Sequence, residues 1–176
     1  VYLAVNNRLL KIDSATGKVL AAANLKSSIS YTSRPVYAKG LVIVPLNGGA
    51  VQALTADELA TVWLTDAVSG DAQASTTIAI DGNYAYVGTS DVPKMNVYNN
   101  GHLICINILT GVVSWEHVNR DEGYYWTGAT SVDGVTVVPT SAGTVEVLNS
   151  NGDLVGSCNV GSIVNSTVAA SGSSLY

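Results

Sequence analysis

The sequence contains no long hydrophobic run. Apolar residues make up 47% of its 176 positions, yet they come in short runs that Gly, Asn, Asp and Ser interrupt. A membrane-spanning helix needs roughly 20 consecutive, predominantly apolar residues. The pattern therefore predicts no transmembrane helix, while the high apolar fraction predicts a folded globular chain and not a disordered one.

Charged residues are also scarce. They make up only 12% of the chain, and the formal net charge is −5. No cluster of Lys and Arg forms the basic stripe that would neutralise a nucleic-acid backbone, so we expect no nucleic-acid partner. A surface of Asn, Ser, Thr and Gly is more typical of a displayed or secreted domain than of a cytosolic enzyme. This predicts an extracellular, periplasmic or cell-surface location.

Only two cysteines are present, Cys105 and Cys158. They are too few for a disulfide scaffold, and their spacing matches no zinc motif. The sequence favours two buried thiols and leaves a disulfide between them open. Val1 is not an initiator methionine and lies inside an apolar run, as expected of an excised piece whose targeting signal lies elsewhere.

A glycine followed by an alternating apolar run recurs along the chain. Alternation with a period of two indicates β-strands, and the Asn- and Gly-rich turn after each run indicates antiparallel hairpins. The recurring glycines are Gly40, Gly82, Gly134 and Gly172.

The repeat length defines the expected fold. Residues Val1, Ile43, Ala85, Val137 and Leu175 fall in one register, at spacings of about 40 to 50 residues, which is typical of a β-propeller blade. We therefore predict an all-β chain of about four blades, each a four-stranded antiparallel sheet. The predicted repeats are 1–42, 43–84, 85–136 and 137–174.

Each repeat carries a similar turn between its third and fourth strands. In the third repeat, CINILTGVVSW, Asn107 is expected to cap the turn, Gly111 to adopt the left-handed conformation and Trp115 to contact the next blade. The corresponding residues elsewhere are Asp13, Gly17 and Ala21 in the first repeat, Trp63 in the second and Gly156 in the fourth, which is one residue short.

This turn resembles the tryptophan-docking motif of the pyrroloquinoline-quinone (PQQ)-type, quinoprotein dehydrogenase-like propeller repeat, Ala-x-Asp-x-x-x-Gly-x-x-x-Trp. The resemblance covers essentially the whole chain and is loosest in the second and fourth repeats. It implies a ring of seven or eight blades, of which this chain is about half. Dehydrogenases with this repeat use a calcium-ligating set of acids and amides, and often a disulfide between adjacent cysteines; neither is visible here.

Half a ring would expose an apolar face and an unpaired strand edge at each end. These surfaces could be buried in three ways: by neighbouring blades, by closure of the four blades on themselves, or by a second copy joined head to tail. We expect neighbouring blades in the natural protein. For an isolated piece we expect the paired ring, because Val1-Tyr2 and Leu175-Tyr176 fall on the same repeat positions.

Two connections are candidates for ligand binding on one face of the propeller. They are the insertion 90–100 and the blade exit 119–128, where aromatic rings beside carboxylates and amides suit a sugar or peptide ligand. Packing between blades is the alternative interpretation of residues 124–126. The candidates are Tyr98, Arg120, Asp121, Glu122, Tyr124, Tyr125 and Trp126, with Asp91, Met95 and Asn96 beside them.

The two histidines raise the question of a metal site. His102 and His117 lie on adjacent predicted strands, so their rings could approach each other with Glu116, Asp121 or Glu122 as a third ligand. Strand alternation equally allows them to face opposite sides of the sheet, and we predict no metal site.

Catalytic motifs are missing from the sequence. It has no nucleophile elbow, no HExxH and no phosphate-binding glycine loop, and its adjacent acidic pairs fall in turns or loops. We therefore predict no catalytic residue and no cofactor. The leading hypothesis is a non-catalytic binding or scaffolding propeller of an extracytoplasmic protein. The alternatives are a fragment of a PQQ-dependent dehydrogenase and a carbohydrate-binding surface domain.

Overall fold

The computed structural model describes residues 1–29, 33–66, 72–73, 76–91, 100–124, 128–171 and 174–176. Within these residues the regular elements are β-strands joined by turns, and no helix is long and apolar enough to span a membrane. Each sheet is antiparallel and is formed by strands that follow one another in sequence. The chain is therefore a partial β-propeller, which confirms the predicted fold class.

The first sheet has three strands, β1 (Tyr2–Val5), β2 (Arg8–Ile12) and β3 (Val19–Asn24). The second has four, β4 (Val36–Ala38), β5 (Leu41–Pro45), β6 (Val51–Thr55) and β7 (Thr61–Leu64). The third contains β8 (Ala72–Gln73), β9 (Ala79–Asp81), β10 (Tyr84–Asp91), β11 (Gly101–Asn107) and β12 (Val113–Asn119). The fourth has β13 (Thr130–Val132), β14 (Val135–Pro139), β15 (Thr144–Leu148) and β16 (Leu154–Asn159), and the short hairpin β17 (Ala170–Ser171) and β18 (Ser174–Leu175) follows.

A β-bulge recurs at the same place in all four sheets and identifies equivalent positions. The register shifts directly after the residue that pairs with the tryptophan place, namely after Lys11, Ala53, Cys105 and Val147. Counted from this bulge, the equivalent positions on the preceding strand are Tyr2, Ile43, Tyr86 and Val137.

Two of the sequence-based register marks are therefore wrong by one residue, because Tyr2 replaces Val1 and Tyr86 replaces Ala85. The error in the third sheet comes from the use of glycine as the marker. Gly82 is the first residue of its two-residue hairpin turn, since Asp81 pairs with Tyr84. Gly40 is the second residue of its turn, since Ala38 pairs with Leu41.

The hydrophobic core is divided among the junctions between adjacent sheets. One cluster joins the first and second sheets around Leu9 and Val44, a second joins the second and third around Ile43 and Ile106, and a third joins the third and fourth around Leu103. Strand alternation sends successive side chains to opposite faces, so the inner sheets bury both faces. Each fully buried aliphatic side chain contributes roughly 1.5–3 kcal/mol.

Among the residues that the structure describes, the first sheet has an apolar face that no other sheet covers. Leu3 lies on this face and is 45% exposed, whereas its equivalents Val44, Val87 and Val138 in the other three sheets are 0% exposed. We call this surface the open face of the first sheet.

Candidate binding site

The exit from the third sheet lies beside a turn of the fourth sheet. We call the side of the sheets that carries this exit, residues 119–124, and the β14–β15 turn, residues 140–143, the upper face. The Ser141 amide donates a hydrogen bond to the Gly123 carbonyl at 2.7 Å, and the Tyr124 amide donates to the Thr89 carbonyl at 3.2 Å. The exit is thereby tied to both sheets.

The first residues of the exit form a capped turn. The Asn119 side-chain oxygen accepts hydrogen bonds from the backbone amides of Asp121 and Glu122, each at 2.9 Å. Asparagine favours such turns because its short side chain reaches the backbone two residues on. Arg120 and Asp121 lie at the tip of this turn, and both are exposed to solvent.

Glu122 is anchored to the fourth sheet. Its carboxylate accepts a hydrogen bond from the Thr140 hydroxyl and another from the Thr144 hydroxyl at 3.1 Å. Hydrogen bonds to an ionised acceptor are stronger than those between neutral groups. Glu122 is therefore an anchor of the turn, while the charged tip formed by Arg120 and Asp121 is exposed to solvent.

Tyr124 is fully buried and holds a buried carboxylate. Its hydroxyl donates a 2.6 Å hydrogen bond to Glu146 Oε2, and Asn119 Nδ2 donates to Glu146 Oε1 at 2.9 Å. Burial raises the pKa of Tyr124 above its ordinary value, and the negative charge of Glu146 raises it further. Tyr124 thus packs between the sheets, and its ring is not exposed to a ligand in this structure.

The two histidines lie on opposite faces of the third sheet. Backbone pairing places His102 opposite Val118 and His117 opposite Leu103, so the two side chains alternate. His102 Nδ1 lies 2.7 Å from Glu116 Oε1, and His117 Nε2 lies 3.5 Å from Glu146 Oε2. Each ring therefore has its own acidic neighbour, and the two rings do not form a common site.

Sequence reasoning missed several residues of this site. Glu146, Thr140, Thr144 and Asn119 supply most of the hydrogen bonds that fix the exit. Glu146 carried a detectable signal, since it is a charged residue at an inward-facing position of the otherwise apolar strand TVEVL and is only 5% exposed. Among the predicted candidates, Met95, Asn96, Tyr98, Tyr125, Trp126 and the side chain of Asp91 lie outside the described residues.

The tryptophans of the docking turns occupy equivalent positions at two sheet junctions. Trp63 Nε1 donates to the Ile108 carbonyl of the third sheet at 2.8 Å, and Trp115 Nε1 donates to the Ser150 carbonyl of the fourth at 2.9 Å. Each ring lies against the glycine of the next docking turn. A Cβ added to Gly111 would come within 2.6 Å of Trp63, and one added to Gly152 within 2.6 Å of Trp115.

The docking turns are capped by their acidic or amide residue. Asp13 Oδ1 accepts hydrogen bonds from the backbone amides of Thr16 at 2.8 Å and Ala15 at 2.9 Å, and Asn107 Oδ1 accepts from those of Leu109 and Thr110. The Thr16 amide is the main cause that lowers the pKa of Asp13, followed by the Thr16 hydroxyl.

Two clefts lie away from the exit, along the sheet junctions. One of about 510 Å³ lies between the second and third sheets and is lined by Asp66 and Glu116 among others. The other, of about 410 Å³, lies between the third and fourth sheets beside Tyr86 and Trp115. The Tyr86 and Trp115 rings are in a tilted contact, with their centroids 5.8 Å apart and their planes at 49°. The second cleft therefore borders the docked tryptophan.

Calcium requires several oxygen ligands, but the part of the chain that the structure describes brings together no group of three or more His, Cys, Asp or Glu residues able to hold a metal ion. Cys105 is buried as expected, whereas Cys158 is exposed, so the expectation of two buried thiols is wrong for Cys158; both are free thiols. Burial raises the pKa of Cys105 to about 11.

The stacked sheets and their docked tryptophans define a β-propeller domain of the PQQ-like class. A family model described as outer membrane protein assembly factor BamB matches residues 1–172. The chain belongs to this family. No curated protein matches the sequence.

Solved structures of other proteins share the fold. The computationally designed protein Ika8 is 14% identical, with a TM-score of 0.72 over 99% of this chain and 53% of its own. Quinohemoprotein alcohol dehydrogenase from Comamonas testosteroni is 17% identical, with a TM-score of 0.68 over 90% of this chain and 33% of its own. Sqt1 from Saccharomyces cerevisiae is 12% identical, with a TM-score of 0.72 over 92% of this chain and 44% of its own.

At these identities the likeness concerns the fold alone. The chain spans between about a third and about half of the length of these three structures.

Proposed function

We propose that the chain is part of a non-catalytic binding or scaffolding propeller of an extracytoplasmic protein. Its contact surface is the upper face at the junction of the third and fourth sheets. The observation that carries the proposal is the exposed pair Arg120 and Asp121, held at the tip of a turn whose other members are anchored by hydrogen bonds.

A rigid charged tip is suited to binding another protein. Asn119, Glu122 and Tyr124 fix the turn before a partner arrives, which reduces the entropy that binding must offset. Arginine is enriched at protein interfaces, and a neighbouring pair of opposite charges selects a partner of complementary charge pattern. We therefore infer a protein or peptide ligand with its own acidic and basic groups.

The hydrogen bonds that engage Glu122 and Glu146 support a non-catalytic role. Glu122 is bound by two threonine hydroxyls, and Glu146 is bound by Tyr124 and Asn119. A general acid or base must instead reach a reacting group on a substrate. The family description, outer membrane protein assembly factor, supports a protein partner and an extracellular, periplasmic or cell-surface location.

The propeller ring would be completed by neighbouring blades or by a second copy of the chain. The open face of the first sheet supports this inference, since Leu3 is 45% exposed while its equivalents Val44, Val87 and Val138 are fully buried. Soluble proteins rarely leave large apolar patches uncovered.

Site-specific photo-crosslinking tests the proposed contact surface. A photoreactive residue at position 121 is expected to capture one protein from the cell envelope of the producing organism. The same photoreactive residue at position 153 serves as the control. This position lies in the exposed β15–β16 turn, at the end of the fourth sheet opposite the upper face. Arg120→Ala should reduce capture from position 121. Equal capture from both positions, or none from 121, would contradict the proposal.

Two further measurements address the alternative functions. A thermal shift of several degrees with PQQ and calcium would favour the dehydrogenase fragment, because a ligand that binds only the folded state stabilises it. A glycan-array signal that Trp126→Ala abolishes would favour the carbohydrate-binding domain.

A further inference from the structure

The cleft between the third and fourth sheets is lined by aromatic rings and a carboxylate. Its volume of about 410 Å³ is within the usual range for small-molecule sites. Tyr84, Tyr86 and Trp115 supply the rings, and Asp81 is the charged residue among the described ones that line the cleft. The cleft therefore combines aromatic surface with negative charge.

Strand pairing brings these side chains to the same face of the third sheet. Asp81 pairs with Tyr84, while Cys105 pairs with both Tyr86 and Trp115. Paired residues of an antiparallel sheet point to the same side, as do residues two apart on one strand. Because Tyr84 and Tyr86 are two apart on β10, both groups of residues face the fourth sheet together.

The fourth sheet holds Asp81 through one of its carboxylate oxygens. Oδ2 accepts hydrogen bonds from the Ser131 hydroxyl at 3.3 Å and from the Gly134 amide at 3.1 Å. The hydrogen bonds that described residues donate to this carboxylate thus both end on Oδ2. The carboxylate is fixed in place, and Oδ1 remains for a ligand.

The equivalent place between the first and second sheets holds an ammonium group of the chain itself. Lys11 pairs with Tyr2 just before the bulge, and Cys105 pairs with Tyr86 at the same position of the third sheet. Lys11 Nζ donates to the Asp57 carbonyl oxygen at 3.2 Å and lies 3.5 Å from Asp57 Oδ1. A cation therefore fits between a tyrosine-bearing strand and the turn of the following sheet.

Cys105 provides no such cation between the third and fourth sheets. Its side chain is much shorter than that of lysine, and burial raises its pKa to about 11, so the thiol is uncharged at neutral pH. The described residues of the lining thus supply rings and a carboxylate without a positive group to balance them.

We propose that this cleft binds a small organic cation whose quaternary ammonium group lies between the aromatic rings and the Asp81 carboxylate. Aromatic faces attract alkylammonium groups through the ring quadrupole, and sets of aromatic side chains are a general means of binding quaternary ammonium. Such a group needs no hydrogen-bond acceptor, and the net charge of −5 favours the approach of cations. The site is separate from the upper face and does not depend on the function proposed for that face.

Isothermal titration calorimetry of the whole chain with choline tests this assignment. We expect a Kd of about 1 mM or lower for the wild type. The uncharged isostere of choline, in which carbon replaces nitrogen, should bind at least about tenfold more weakly, because it lacks the charge that the rings and Asp81 attract. Equal affinity for the two compounds, or no binding of choline, would overturn the proposal.

Two matched substitutions test the counter-charge. Asp81→Asn retains an oxygen acceptor for Ser131 and Gly134 but removes the negative charge, and it should weaken choline binding about tenfold. Asp57→Asn removes the same charge at a carboxylate that is 97% exposed and outside the cleft, so it should leave the affinity unchanged. Equal losses in the two variants would show that only the net charge matters, and the proposed site would be wrong.

Tyr84 allows a test of the rings that does not endanger folding, because this residue is 40% exposed. Tyr84→Leu should weaken choline binding at least about threefold, whereas Tyr84→Phe keeps the ring and should retain it. Circular dichroism verifies that each variant is folded. Unchanged affinity in both Asp81→Asn and Tyr84→Leu would exclude the cleft as the binding site.

A quaternary ammonium group can belong to a free small molecule or to a lipid headgroup. Cosedimentation with phosphatidylcholine vesicles, compared with phosphatidylglycerol vesicles, distinguishes the two sources once choline binding is established. Sedimentation with phosphatidylcholine alone would assign the cleft to a headgroup, and sedimentation with neither would assign it to a free cation.

Discussion

The buried contact between Tyr124 and Glu146 joins the third sheet to the fourth. A carboxylate at 5% exposure is costly unless hydrogen bonds replace the water it has lost. Tyr124 and Asn119 provide that replacement, and both belong to the exit that carries the charged tip. The geometry of the proposed binding surface therefore depends on a residue of the neighbouring sheet.

Removal of the Tyr124 hydroxyl should destabilise the chain measurably. Tyr124→Phe leaves Glu146 Oε2 without its hydroxyl donor, and an under-bonded buried group of this kind costs about 1–3 kcal/mol. We expect that loss in the free energy of unfolding, measured by urea denaturation. Tyr84→Phe, at a position that is 40% exposed, should change it by less than about 0.5 kcal/mol. Equal effects of the two substitutions would contradict the role given to Tyr124.

The capping carboxylate of Asp13 should make stability depend on pH in the acid range. Its folded-state pKa lies below the ordinary value of 3.8 because backbone amides donate to the ionised form. The stabilisation is therefore present above about pH 3.8, and it is lost as the pH falls through the lowered folded-state pKa.

Asp13→Asn separates this effect from that of the other acids. Asparagine keeps the cap without titrating, as Asn107 does in the third sheet. The Tm of the wild type minus that of Asp13→Asn should be constant above about pH 5. It should decrease towards pH 3, because only the wild type loses a charged cap there. A difference that does not vary with pH would contradict the assigned pKa.

At the scale of the element, the docking turn imposes two requirements, one on backbone conformation and one on packing between sheets. Its glycine adopts a positive φ, and at Gly111 the missing Cβ also makes room for Trp63. These two requirements are separable, because Gly17 has nearly the same φ, +72° against +74°, but no neighbour within 4 Å.

Gly111→Ala should therefore cost more stability than Gly17→Ala. The control substitution carries only the left-handed strain of a residue with a Cβ, roughly 1–2 kcal/mol. Gly111→Ala carries the same strain and also forces the indole of Trp63 to move, which adds about 1–3 kcal/mol of overpacking. Urea denaturation of both variants measures the difference, and equal costs would mean that the Trp63 contact contributes nothing.

The sequence predicted these turns because all of their signals are local. Asn107 and Gly111 lie within one short segment, and their turn chemistry does not depend on the rest of the chain. The register error at Ala85 shows the limit of local signals, since a glycine can occupy either position of a hairpin turn. The contact between Tyr124 and Glu146 joins residues of different sheets, so no local pattern reveals it. The one signal in the sequence was the acidic residue Glu146 within the otherwise apolar strand TVEVL.

At the scale of the whole molecule, the fold is a row of junctions and not a single central core. Each inner sheet is stabilised from both sides, whereas the described part of the first sheet packs against the second sheet on one face. Stability should therefore be distributed unevenly between the two faces of the first sheet. Leu9 and Leu3 represent these faces, because they are 0% and 45% exposed respectively.

The same substitution at these two positions should have very different effects. Leu9→Ala removes a buried side chain between two sheets and should lower the free energy of unfolding by about 2–5 kcal/mol. Leu3→Ala truncates a side chain on the open face and should lower it by less than about 1 kcal/mol, because that side chain is already partly in water. If Leu3→Ala proved as costly as Leu9→Ala at every protein concentration, the open face would be covered within the single chain. If its cost grew with concentration, a second copy of the chain would be shown to cover the open face.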